Sequence, residues 1–331
     1  MTPALEVSHL TTQFTSGSGK VTAVDDVSFA VMPGQVLGLV GESGSGKSVT
    51  LRSLLRLLPR TAQIEGRVIW QGQDLIGMSE KQLRSVRGGD ISMIFQEPMT
   101  ALNPVLPVWL QIDENLRTHT SLSASERVAR ARELMDLVGI SDAPRRLLQY
   151  PHQFSGGMRQ RVMIAIALAS NPKLLLADEP TTALDVTIQD QILKLILSLR
   201  DKLAMSVVLV THDLGVVATT CDHMAVMYAG RIVETGAVSS VFAQPSHAYT
   251  RGLLGSVPRA GTQRSQLLSI EGTPPSLSAI PKGCSFHPRC EFATDICRRS
   301  TPAMLPQSAT HAAACFHSDR VIAAGSPVGA Q

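Results

Sequence analysis

The stretch that most limits what this chain can become is Gly41-Glu-Ser-Gly-Ser-Gly-Lys47-Ser48. The apolar run Val36-Leu-Gly-Leu-Val40 precedes it, and a helix-like run from Ser48 to Leu58 follows. Strand, glycine-rich loop and helix in that order are the setting a phosphate-binding loop requires. Glycines at 41, 44 and 46 let backbone N–H groups turn inward on a phosphate, and the start of the helix adds the positive end of its dipole. Gly41, Ser43, Gly44, Ser45, Gly46, Lys47 and Ser48 are therefore the expected nucleotide-binding set. Lys47 would reach the β- and γ-phosphates and the Ser48 hydroxyl would ligate Mg²⁺. The alternative is a glycine-rich turn that only joins a strand to a helix. It is the weaker reading, because every fixed position and both flanks agree.

A chain of 331 residues suits about two domains, and its 44% hydrophobic content supports a substantial core. A net charge of +3 gives no argument for nucleic-acid binding, and aromatics at 4% leave a base-stacking surface unexpected. The longest apolar run, Val162 to Ala169, falls short of the ~18–20 residues that span a bilayer. Met1-Thr-Pro-Ala-Leu-Glu6 lacks the basic-then-apolar pattern of a secretory signal. The expectation is a cytosolic chain with reduced thiols.

Leu5 to Leu10 alternates as a strand does, Phe14 follows ahead of the loop Ser16-Gly-Ser-Gly19, and Val24 to Val31 alternates again up to Pro33-Gly34. This predicts an antiparallel β layer ahead of the nucleotide strand. Phe14 reads from the residues alone as a core side chain, with stacking on adenine as the other possibility. Gly66 to Gly72 and Ile91 to Phe95 read as further strands. From Val105 to Gly139 the pattern turns helical, with a capping box at Ser123-Ala-Ser-Glu126, as in a helical insertion within the α/β core. Phe154-Ser-Gly-Gly-Met158 opens a helix over Arg159–Ala169. Lys173 to Glu179 is a buried-strand run ending in Asp178 and Glu179, expected beside the phosphate-loop strand in a parallel sheet. There Asp178 would hold Mg²⁺ and Glu179 would polarise the attacking water. Without the phosphate loop, a helix cap or a solvated turn would explain that acidic pair better. A helix is expected over Ile188–Leu203, and Ser206 to Asp213 is a further buried strand that ends at His212. A lone His there is more often structural. Several buried strands ending in polar residues at one edge shift that balance, since α/β sheets bind ligands at their carboxyl ends.

Together these pieces resemble an ABC-type ATPase over about residues 4–245. The phosphate loop, Gln96, the signature Phe154–Met158, the pair Asp178-Glu179, the loop Ala183-Leu-Asp185 and His212 stand in the order of that family. The fold implied is α/β: a P-loop NTPase core of the ABC ATPase type, an antiparallel β layer, a helical insertion subdomain and a small Cys-rich C-terminal extension. The divisions implied are 1–98 and 160–245 for the core, 99–159 for the helical subdomain with the signature, and 246–331 for the extension. The signature departs from the usual Leu-Ser-Gly-Gly-Gln at Phe154 and Met158 but keeps Ser155, Gly156 and Gly157, the phosphate binders by resemblance. The resemblance also makes Phe14 the adenine platform, Gln96 a sensor of Mg²⁺ and water, Asp185 a contact across a dimer interface and His212 a γ-phosphate contact. Catalysis falls to Glu179, His212 and Gln96, and Mg²⁺ to Ser48, Gln96 and Asp178. Each ATP in such proteins is sandwiched between the loop of one cassette and the signature of another. One copy of each motif then implies a second ABC ATPase subunit, expected to be a different chain.

Further toward the C-terminus, His247 to Pro258 and Gly283-Cys-Ser-Phe-His-Pro-Arg-Cys290 resemble the extension of oligopeptide and dipeptide importer ATPases, as does Ser92 to Pro104. That branch implies an ATPase powering peptide import at the cytoplasmic face of the inner membrane. Its partners would be two transmembrane permeases and an external substrate-binding protein, with no nucleic acid. Nickel complexes or glutathione are alternative cargoes of the same branch. A soluble, non-transporting ABC ATPase is the rival class, and a GTP switch is disfavoured by the missing Asn-Lys-x-Asp motif. Of five cysteines, Cys221 reads as a buried core thiol. Cys284, Cys290, Cys297 and Cys315 cluster in a segment rich in Pro, Arg and His and read by type as a zinc or iron–sulfur site, at wider spacing than zinc pairs usually show. The resemblance implies a [4Fe–4S] cluster, with Zn²⁺ as the alternative and an empty set of thiols third. His287, His311 and His317 are read as bystanders.

Overall fold

The computed structural model describes residues 2–16, 19–97, 101–256 and 270–327. Residues 17–18, 98–100 and 257–258, which belong to three of the stretches read above, lie outside the described residues. The chain divides into two compact units. The first takes Met1–Thr2, Met32–Gln35 and Gly77–Leu209, and the second takes Pro3–Val31, Val36–Ile76 and Val210–Gln331.

In the second unit, β1 (Leu5–Ser16) pairs antiparallel with β2 (Gly19–Val31) on one side and with β4 (Ala62–Trp70) on the other, and β4 pairs with β5 (Gln73–Asp74). Leu5, Val7, Leu10, Val24, Val27 and Val31 are buried, the half-buried alternation that the sequence predicts for this layer. Phe14 falls inside β1, opposite Val21 and Ala62. β3 (Val36–Val40) is buried at every position, which is why its residues are apolar without alternation. It pairs parallel with β9 (His223–Tyr228). β10 (Arg231–Ala237) pairs antiparallel with β9 and with β12 (His311–Ala313), which carries β11 (Leu305–Ser308) at its far side. The helix after the glycine-rich loop runs Lys47–Leu54, shorter than the stretch to Leu58 that the sequence suggests. Arg56 takes a left-handed backbone and Pro59 follows, so the helical path cannot continue.

In the first unit, β6 (Ile91–Ile94) pairs parallel with β7 (Leu174–Asp178), and β8 (Ser206–Thr211) flanks β7 on its other side. The helical stretch after Val105 is two helices, Val108–His119 and Ala124–Leu137. Ser123 caps the second: its backbone N–H donates to Glu126 (2.7 Å) while its hydroxyl accepts from the Glu126 N–H. Arg127 Nε donates to Asp113 Oδ1 at 2.5 Å and ties the two helices together. The signature helix runs Gly156–Ala167 and the following long helix Val186–Leu203. Both start earlier than the apolar pattern suggests, because the polar residues before that pattern act as caps. No helix among the described residues is long and apolar enough to cross a membrane.

Candidate nucleotide-binding site

β3 delivers the chain into Gly41–Ser48. Gly41 has φ +151°, and a Cβ there would stand 2.2 Å from the Met227 carbonyl oxygen. Gly46 has φ +104°, with the Ala23 carbonyl oxygen 2.6 Å from the same hypothetical atom. Neither position admits a side chain, so the loop is pressed against β9 and β2 by its glycines. Gly46 stands at the N-cap of the helix Lys47–Leu54 in a left-handed backbone and offers no side-chain acceptor there. Lys47 is only 5% exposed. Its Nζ donates to Gly41 O (2.8 Å), Glu42 O (2.9 Å) and Ser45 Oγ (3.4 Å), so the ammonium is held over the loop. Ser48 sits in the first helical turn, and Ser43 and Gly44 form the exposed tip.

The remainder of the loop is held by residues far along the chain. The Glu42 N–H donates to the Tyr249 phenol oxygen at 2.8 Å, and the Glu42 carboxyl receives both terminal nitrogens of Arg289, at 2.7 and 3.0 Å. Burial pushes the Tyr249 phenol well above its usual range, so it keeps its proton. A cavity of about 400 Å³ runs along Glu42–Ser45 and is walled by Tyr228, Ala229 and Pro274–Leu277. His212 is exposed just beyond β8, followed by Asp213, whose Oδ1 accepts from Gly215 N–H (2.7 Å) to cap the helix Leu214–Thr220.

In the first unit, Asp178 is fully buried at the end of β7. Glu179 follows with φ +46°, a backbone that few non-glycine residues adopt. Its Oε2 accepts from Thr182 Oγ1 (2.8 Å) and from Gln96 Nε2 (3.1 Å), so Gln96 and Glu179 stand together. Ser155 caps the signature helix by accepting from Met158 N–H at 3.4 Å. Gly156 and Gly157 pack against Leu184 and Ile188, which brings the signature to the loop holding Asp185, and Asp185 Oδ1 accepts from Ile188 N–H at 2.9 Å. Phe154 is 4% exposed, with the Arg146 guanidinium 5.9 Å from its ring centroid. An aromatic residue at that signature position therefore fills core space.

The cysteines of the described residues are all free. Cys221 is partly rather than fully buried, and burial raises its thiol to about 11. Cys284, Cys290, Cys297 and Cys315 share one neighbourhood. Burial first, and then the charges of Cys315, Cys284 and Cys297, push Cys290 up to about 12. The donor chemistry suits a soft metal, but among the described residues no group of three or more His, Cys, Asp or Glu side chains is placed to hold a metal ion. His311 has a contact of its own away from those thiols: its Nε2 lies 2.7 Å from the fully buried Glu234, which also accepts from Ser246 N–H (2.6 Å) and His247 N–H (2.9 Å). Sequence reasoning passed over Glu234, Tyr249, Arg289 and a role for Glu42. The one available signal was Arg289 inside His-Pro-Arg-Cys290, a charge set among residues already suspected of chemistry.

The chain is similar to known proteins along most of its length. Residues 24–182 match the family described as ABC transporter, and residues 233–297 match the family described as oligopeptide/dipeptide transporter, C-terminal region. A dimeric ATP-binding cassette solved in a post-hydrolysis state with ADP and Pi is similar at 29% identity and TM-score 0.64, covering 71% of this chain and 98% of its own. Fold and loop thus define an ATPase of the ABC class. The dipeptide transport ATP-binding protein DppD of Bacillus subtilis is 49% identical over 97% of this chain and 96% of its own length. The oligopeptide transport ATP-binding protein OppD of Salmonella typhimurium is 48% identical over 90% of this chain and 89% of its own. The chain belongs to the family of ATP-binding subunits of oligopeptide and dipeptide ABC transporters.

Proposed function

We propose that this chain hydrolyses ATP to power the import of di- and oligopeptides through a membrane transporter. The observation that carries the reading is that one chain joins the Lys47-centred loop to a C-terminal region of the oligopeptide/dipeptide type. In the proposed scheme Lys47 and the amides of Gly41–Ser48 bind the phosphates, Ser48, Gln96 and Asp178 hold Mg²⁺, and Phe14 stacks on adenine. Glu179, steadied by Thr182 and Gln96, orients and polarises the attacking water, and His212 contacts the γ-phosphate. Ser155, Gly156, Gly157 and Asp185 serve the nucleotide of a second ABC ATPase subunit, so that ATP closes the pair and hydrolysis releases it.

The division into a core (1–98 and 160–245), a helical subdomain (99–159) and an extension (246–331) is part of this reading. So is a peripheral location at the cytoplasmic face of the inner membrane, with two permeases and an external binding protein as partners. Support for permease docking comes from Val105, Leu110, Leu148 and Tyr150. They are exposed on two segments whose backbones pair through Val108 N–H to Gln149 O (2.9 Å) and Trp109 N–H to Leu147 O (2.8 Å). The four thiols Cys284, Cys290, Cys297 and Cys315 are proposed to hold a [4Fe–4S] cluster that braces the extension, with Zn²⁺ as the alternative. Their shared neighbourhood and the absence of disulfides support this.

The test is purification with the permeases under anaerobic conditions, followed by peptide uptake into proteoliposomes and metal analysis. ATP-dependent uptake that Glu179→Gln abolishes is the expected result, and ATP hydrolysis without any uptake of peptide overturns the transport reading. Iron with acid-labile sulfide supports the cluster, while stoichiometric zinc replaces it.

A further inference from the structure

The phosphate loop is gripped from the far end of the chain. Glu42, its second residue, has every polar group engaged. Its carbonyl accepts from Lys47 Nζ at 2.9 Å. The other two contacts come from residues more than two hundred positions away: Tyr249, which accepts the Glu42 N–H at 2.8 Å, and Arg289, whose two terminal nitrogens reach the Glu42 carboxyl at 2.7 and 3.0 Å. This is not a loose surface ion pair, because the Arg289 side chain is only 6% exposed. Its Nε donates to the Glu271 carbonyl at 3.0 Å, and its guanidinium lies 5.9 Å from the ring centroids of both Tyr228 and Phe286. Those rings wedge against Tyr249, at 4.6 Å for Tyr228–Tyr249 and 5.3 Å for Tyr249–Phe286. A planar fork held by carbonyls and aromatic faces gives a preorganised, bidentate grip that a lysine could not reproduce.

The electrostatics give the grip a purpose. A loop that must receive a polyphosphate carries a carboxyl group at its second residue, Glu42. Like charges at short range in a partly buried site repel strongly. Arg289 cancels that charge while Tyr249 pins the backbone at the same residue. Pro274–Leu277 wall the cavity along the loop, so contact with the extension continues past the ion pair.

We propose that Arg289 is a positioning residue through which the C-terminal extension sets the ATP affinity of the phosphate loop, by neutralising Glu42 and holding the loop in its phosphate-receiving form. This rests on the reading of Gly41–Ser48 as the ATP loop. Any displacement of the segment around Arg289 then weakens nucleotide binding without touching a residue that contacts the reacting phosphate.

The test uses the full chain assembled with its permeases, and reads Kd for a fluorescent ATP analogue together with KM and kcat for ATP. Arg289→Gln should raise Kd and KM about tenfold or more, as truncating one partner of a buried charge pair does. It should leave kcat at saturating ATP within about twofold, because binding is lost equally from ground and transition states. Removing both charges with Glu42→Gln and Arg289→Gln together should recover most of that affinity, and Arg289→Lys should lie between wild type and Arg289→Gln. A purely structural brace predicts the opposite, a double variant no better than the single. That result, or an unchanged Kd in folded Arg289→Gln, overturns the proposal. If Arg289→Gln does not fold, the double variant and Arg289→Lys decide the matter on the same readouts. Lys47→Ala separates the two layers of inference. ATP binding that survives Lys47→Ala removes the loop reading itself. Binding lost in Lys47→Ala but intact in Arg289→Gln removes only the role of Arg289.

Discussion

Glu179 is held in a left-handed backbone by two hydrogen bonds to one carboxyl oxygen, from Thr182 and Gln96. Such a conformation costs on the order of 1–3 kcal/mol for a residue with a side chain and persists where the surroundings over-determine it. Directing this carboxyl group at a water is a use that would sustain the cost. Under the proposed role, Glu179→Gln preserves the shape and removes the group that polarises the water, so kcat should fall by about 10²–10⁴-fold while ATP binding survives. Single-turnover hydrolysis and nucleotide trapping check this, and unchanged turnover sinks the role. His247 offers a second test on one residue. Its ring is buried, its Nδ1 accepts from Tyr249 N–H at 3.0 Å, and burial lowers its pKa to about 4. The unfolded chain takes up a proton near the ordinary histidine value of about 6.5, while the folded chain resists until about pH 4. Stability from this group is therefore complete above about pH 6.5 and is lost as pH falls toward 4, to a total of about 3 kcal/mol. His247→Asn keeps an acceptor for Tyr249 and removes the titration. Denaturation curves from pH 7 to 4 should show a shallower loss in that variant than in the wild type.

At the scale of elements, the loop from β3 into the helix Lys47–Leu54 is the part most legible in the sequence. The glycines that must lack a Cβ, Gly41 and Gly46, stand among fixed spacings. The fully buried strands β3, β7 and β8 are legible too, because burial on both faces leaves unbroken apolar runs. Helix ends are harder. Asp185 and Ser155 start their helices ahead of the apolar pattern, and a left-handed Arg56 stops another inside it. β11 and β12 are too short for a period, and β12 is placed by pairing with β10 and by the His311–Glu234 contact rather than by any local preference. The grip of Arg289 on Glu42 spans 247 positions, a separation no local pattern encodes. Where sequence and structure agree at an element, the agreement has a measurable price. The capping box at Ser123 and Glu126 satisfies N–H groups at the start of Ala124–Leu137. Ser123→Ala should cost about 1 kcal/mol of stability. Urea denaturation should show a lower midpoint at an unchanged slope, with ATP affinity unaltered. A variant as stable as wild type would mean that the buried Ala131, Leu134 and Met135 and the Arg127–Asp113 pair hold that helix without the cap.

At the scale of the whole molecule, the remaining question is how hydrolysis is passed to a membrane partner. Isolated apolar side chains on a surface need no explanation, whereas a group of them does. Val105 is 75% and Leu148 is 70% exposed, with Leu110 and Tyr150 on the same two paired segments. Those segments hold their shape without a partner, since their backbones bond to each other at Val108–Gln149 and Trp109–Leu147. Exposed apolar side chains on paired segments gain free energy when a partner helix covers them, about 25 cal/mol for each Å² of apolar surface buried. Leu148→Glu places a charge among those side chains, where docking would desolvate it. The side chain is exposed and fills no core, so the fold and the affinity for ATP should stay as in the wild type. The variant should fail to co-purify with the permeases or should hydrolyse ATP without peptide uptake. Leu148→Met, which keeps the face apolar, should behave as wild type. Normal assembly and uptake in Leu148→Glu would place the coupling surface elsewhere in residues 99–159, while loss of ATP binding in the same variant would show that Leu148 acts on the fold instead.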